Sequence, residues 1–83
     1  MYIYHTDAGH GWLAVKRKEL IKLGILDKIS EYSYQRGNTV YLEEDCDVPL
    51  FINARKKIDE KYQIRESYRD NSPIRYYKRF SKD

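Results

Sequence analysis

Four acids stand within five residues of this chain, Glu43, Glu44, Asp45 and Asp47, and its single cysteine, Cys46, lies among them. Clustered carboxylates hold Ca²⁺ or Mg²⁺ where several oxygens converge on one point. The segment YLEEDCDVPLF lacks the alternating acids, glycine and distal glutamate of a calcium loop, and consecutive residues of an extended segment point to opposite faces. No metal site is expected on that ground. A thiol beside a helix start, with His5 or His10 as base, would make a nucleophile. The carboxylates around Cys46 oppose this by stabilising the neutral thiol, and no third, orienting group is evident. Neither a catalytic residue nor a cofactor is expected. Asp47 instead reads as a helix cap ahead of Val48-Pro49, and Glu43, Glu44 and Asp45 as an acidic shoulder open to a basic partner.

His5 and His10 flank Asp7, but their spacing matches no zinc register. The run DAGHGW reads as an ordered loop, with Gly9 and Gly11 permitting tight turns and Trp12 anchoring it. His10 and Trp12 are candidate loop contacts for a partner. The stretch from Ile64 to Lys82 raises a different chemistry: it holds six arginines and lysines against two acids, interleaved with tyrosines. Arginine grips phosphate with a planar fork and tyrosine stacks on bases, which suits single-stranded nucleic acid. The same residue types dominate protein–protein hot spots, and charge also keeps an edge hairpin from aggregating. Arg65, Tyr68, Arg69, Arg75, Tyr77 and Arg79 are the candidate contacts of this basic aromatic face.

The elements that must position these residues follow from hydrophobic periodicity. Tyr2 to His5 and Trp12 to Val15 read as short strands. In KRKELIKLG, Leu20 with Leu23 and Ile21 with Ile25 give one apolar helical face, ended by Gly24. Tyr32/Tyr34 and Val40/Leu42 alternate around Arg36-Gly37-Asn38, a hairpin. A second helix runs from Val48 to about Tyr62, with Phe51, Ala54, Ile58 and Tyr62 as its stripe and Arg55, Lys56, Asp59 and Glu60 on its other faces. Two further alternating segments around DNSP read as a second hairpin, with Ile74, Tyr76 and Phe80 on one side and Arg75, Tyr77 and Arg79 on the other. The expected fold is α+β, a small single domain over residues 1–83. Its sheet is mostly antiparallel with two helices, in the order β-β-α-β-β-α-β-β.

Composition bounds the rest. A domain of 83 residues buries only about 60–65% of its unfolded surface, which leaves little interior for a deep catalytic pocket. One cysteine allows no internal disulfide and fits a reducing compartment. The N-terminal run is not signal-like, and no segment approaches the ~18–20 apolar residues that span a bilayer, so a cytoplasmic protein without membrane contact is expected. The net charge is +3, and nine tyrosines stand against two phenylalanines and one tryptophan. That balance favours half-wet surfaces over a deep core.

The run from His10 to Phe51, with HGWL, LGI, DKIS, YSY, VYLEEDCD and LF, resembles a family of small proteins carried by phages and other mobile elements. The resemblance implies an accessory, anti-defence context: inhibition of a host by binding a protein, a nucleic acid or a signalling nucleotide. It supplies no catalytic residues. The order of LAVKRKELIKLGI and YSYQRGNTVYLEE is also similar to AbrB-type swapped-hairpin DNA-binding regulators, although Lys16 and Arg17 stand where those carry a proline. The expectation is a non-enzymatic binding protein with a host protein as partner and nucleic acid as the alternative. The segregated charges would also permit a homodimer in which each acidic shoulder meets a basic hairpin.

Overall fold

Alternation at a spacing of two builds the centre of the molecule. In the computed structural model, which describes residues 1–58 and 61–82, β1 (Tyr2–Thr6), β2 (Gly11–Lys16), β3 (Tyr34–Arg36), β4 (Thr39–Glu43), β5 (Ile64–Tyr68) and β6 (Lys78–Arg79) form one sheet in the order β5-β1-β2-β4-β3-β6. Leu13 lies opposite Leu42 and Val15 opposite Val40, so four fully buried side chains share one face at the middle. That face meets α1 (Arg17–Lys22) and α2 (Val48–Ile58), whose Leu20 and Phe51 complete the core with Ile25, Ile29 and Phe80. The expected α+β class and element order are those of the molecule. No helix among the described residues is long and apolar enough to cross a membrane.

The first hairpin forms as its turn residues require. Gly37 takes φ +59° between β3 and β4, and Gly24 takes φ +74° after α1, both in the region glycine tolerates best. Ile21, expected on the buried face of α1, is 58% exposed, because the short helix turns Leu20 inward instead. The second helix ends earlier than its stripe suggested. Residues 61–63 are not helical, Ile58 is exposed, and Asp59 and Glu60 lie outside the described residues. Arg55, expected on an outer face, is buried. Its guanidinium sits 4.9 Å over the Tyr62 ring and 5.8 Å over Tyr2, 3.6 Å from Glu19.

The second hairpin is not formed. β5 pairs in parallel with β1 at one edge of the sheet, while β6 pairs with β3 at the other. Five interstrand spacings separate them, roughly 24 Å. The chain between must therefore cross the whole second face of the sheet, and it does so as a strap that includes the 3₁₀ turn Pro73–Tyr76. Ile74 and Trp12 are buried outside the main core cluster, so the strap covers a small interior of its own. Tyr76, expected to share a buried side with Ile74 and Phe80, is 78% exposed, because the turn breaks the alternation. At its far end Arg17 holds the strap by donating to the Ser81 and Lys82 carbonyls and lying over Phe80.

Candidate functional site: an open cleft on the strand face

Two carboxylates do the positioning. Asp7, between the two histidines, is almost wholly buried and serves as an anchor. Its Oδ1 accepts from the Gly9 and His10 amides at 3.0 and 2.9 Å and from Arg75 Nη2 at 2.8 Å. Its Oδ2 accepts from Arg75 Nε at 2.5 Å and the Ser72 amide at 3.4 Å. The Arg75 fork, helped by these amides, holds the Asp7 carboxyl well below the usual carboxylate range. One residue thus ties the His10 loop and the strap together.

Asp47 does the same on the other side, and not as expected. Its carboxylate does not cap α2. It accepts from the Ser30 amide and hydroxyl and from the Ser33 hydroxyl, while only its backbone carbonyl receives the first helical bond, from the Phe51 amide. A side chain 2% exposed and bonded to three donors fixes the segment before β3 against the start of α2.

Between these anchors opens a cleft of about 440 Å³. Its apolar floor is Trp12, Tyr34 and Tyr32. One wall carries Arg75, 5.7 Å over Trp12, and Arg79, 5.2 Å over Tyr34. The other carries Glu43, Asp45 and Cys46, with His10 at the end, 5.9 Å from Trp12. The register explains the arrangement: Tyr34 pairs with Arg79 and Trp12 with Glu43, so all four point to one face.

The acid cluster is closer than an extended segment would allow. Carboxylate oxygens of Glu43, Glu44 and Asp45 lie within 4.8 Å of one another, because the chain leaves β4 in a turn. Glu43 Oε1 accepts from the Asp45 and Cys46 amides and closes that turn, and Glu44 accepts from Tyr4 Oη at 2.9 Å. The Cys46 thiol is exposed, and its pKa is pushed up first by the Glu43 carboxylate, then by partial burial and the charges of Glu43, Asp47 and Asp45. His5 is elsewhere, beneath the strap, with its pKa lowered by burial and by Arg69.

The structure brings His10, Trp12, Glu43, Asp45, Arg75 and Arg79 to one cleft, and disperses the rest. Arg65, Tyr68 and Arg69 lie on or beside β5, at the far edge. Tyr77 packs against Tyr41 and lies under Arg36. The acidic and basic surfaces, expected to be separate, are walls of one cleft. Sequence reasoning missed Tyr32 and Tyr34 as its floor. Their spacing of two around Ser33 carried that signal, since it places both rings on one side. Comparison with known protein families, curated proteins and solved structures finds no match for this chain.

Proposed function

We propose that the protein is a non-enzymatic binding module, an accessory of a phage or other mobile element that acts in the host cytoplasm by seating a host protein in the strand-face cleft. The observation that carries this reading is the meeting of an aromatic floor with one acidic and one basic wall. Such a surface offers apolar area at its centre and polar partners around it, the composition of a protein-binding hot spot. The resemblance of residues 10–51 to mobile-element proteins supports the anti-defence context.

A protein is favoured over single-stranded nucleic acid by what the arginines already do. Arg75 spends two nitrogens on Asp7, and the rings of Trp12 and Tyr34 are each covered by a guanidinium. Bases need open aromatic faces, and phosphates are repelled by Glu43 and Asp45 on the same cleft.

The test is capture from host lysate on immobilised protein, with and without nuclease, comparing the native chain with Asp45→Lys and Tyr32→Ala. Both side chains are exposed and neither donates to nor accepts from another described side chain. A single host protein retained after nuclease, and lost by both variants, is the expected result. Retention that disappears with nuclease, or that ignores both variants, overturns the reading.

A further inference from the structure

A second concavity lies under the strap and shares no lining residue with the cleft. It measures about 200 Å³ and is roofed by Ser72, Pro73 and Ile74. His5 and Ser67, opposite each other in the β1–β5 register, form its base, and Arg69 and Tyr41 form its sides. None of its lining residues is acidic. Tyr77 also lines it, with its hydroxyl already accepting from Arg36 at 3.2 Å.

The chemistry of this lining is one-sided. The Arg69 guanidinium, the Ser67 and Tyr41 hydroxyls and the His5 imidazole all present donors, and none of these four groups is hydrogen-bonded to another described residue. The buried carboxylates Asp7 and Asp47, by contrast, are each bonded to several donors. A cation with a planar fork and three neutral donors, arriving from β1, β4, β5 and the start of the strap, suit an anion with several oxygens better than a two-oxygen carboxylate. The volume falls below the ~300–1,000 Å³ of sites that enclose a drug-sized ligand. A nucleotide base would therefore stay outside.

We propose that this concavity binds a phosphoryl group, either as inorganic phosphate or as the terminal group of a phosphate monoester, with Arg69 as its counter-charge and Ser67, Tyr41 and His5 as hydrogen-bond donors. The groups that face His5 are Trp12 from β2, Ser67 from β5, Tyr41 from β4 and Arg69. Of these Arg69 is the charged one, and burial pushes the Tyr41 phenol up. An anion seated beside His5 favours the imidazolium, so occupancy raises the pH at which this histidine titrates.

The test is an NMR titration of the two histidine rings and the amides with inorganic phosphate, with a nucleoside monophosphate, and with chloride at matched ionic strength. Saturable shifts at His5, Ser67 and Arg69, an upward move of the His5 titration and no saturable change at His10 are expected for the phosphates alone. Arg69→Gln should weaken binding roughly tenfold or more, the loss expected for a hydrogen bond to a charged group. Arg65→Gln, which removes an equal charge from the same edge, should leave it unchanged. Tighter binding of the monophosphate assigns the site to a larger phosphorylated ligand, and equal binding assigns it to phosphate itself. Chloride reproducing the shifts, no saturation, or equal loss in the two variants overturns the proposal.

Discussion

The Asp7 carboxylate accepts from three backbone amides and from both reachable nitrogens of Arg75. Its folded-state pKa lies below the ordinary value, so its stabilisation is complete above about pH 5 and is lost as pH falls further. Thermal unfolding followed from pH 7 to pH 2 should show a decline in Tm that begins below about pH 4–5. Asp7→Asn should start from a lower Tm and show a flatter decline; an unchanged slope would remove Asp7 as its source. Asp47 makes a parallel case without a pH argument. Asp47→Ala orphans three donors, two of them on Ser30, and should cost at least about 3 kcal/mol in a denaturant melt, given ~1–3 kcal/mol for each donor left unpaired. At Cys46 the carboxylates favour the neutral thiol. Alkylation should be slow at neutral pH despite full access, and Glu43→Gln should speed it by lowering the thiol pKa. The raised thiol pKa was legible in the sequence, because like charges next to a thiol act locally. The true partners of Asp7 and Asp47 were not, since Arg75 and Ser30 stand 68 and 17 residues away.

At the scale of elements, alternation correctly located β1 to β5, and the positive-φ glycines correctly punctuated α1 and the first hairpin. It failed for the C-terminal segment, where the alternating runs Gln63 to Arg69 and Ile74 to Phe80 were read as partners because only the short turn DNSP intervenes. Pairing by proximity is the usual outcome, but β1 offers β5 a free edge and β3 offers β6 another. Which edge a strand takes depends on what the chain around it can bury, here Ile74 in the strap and, just beyond β6, Phe80 in the main core. Phe80→Ala should therefore cost about 3–5 kcal/mol in denaturant unfolding, the range for a fully packed phenylalanine, although it lies near the end of the chain. A loss under 1 kcal/mol would mean that the strap is not held by the core. Gly11 shows a second constraint that periodicity does not carry. A Cβ there would lie 2.2 Å from Tyr4 Oη, so Gly11→Ala must swing the Tyr4 ring off Glu44. Burial and that carboxylate push the Tyr4 phenol up to about 12, and its titration in Gly11→Ala should move back towards the ordinary tyrosine value near 10.

For the whole molecule, the distribution of charge matters more than its net value. Glu43 and Asp45 of the acidic shoulder and part of the basic segment border one aromatic cleft, while Arg65 and Tyr68 stay on the far edge and Arg69 lines the donor-rich concavity. Partner binding at the cleft should depend only modestly on salt, because its two walls carry opposite signs and few counterions are released. A steep fall in affinity between 0.05 and 0.2 M salt, of the ~10³-fold kind that several phosphate contacts produce, would point to nucleic acid instead. The sequence by itself determined the class of fold and the order of its elements. Those follow from hydrophobic period, turn chemistry and side-chain type, which act over a few residues. Only the tertiary structure decided that the acids face the arginines, that Asp7 anchors the strap, and that His5 and His10 serve different hollows. These depend on which strands share an edge, and that choice is settled by burial between residues far apart in the chain.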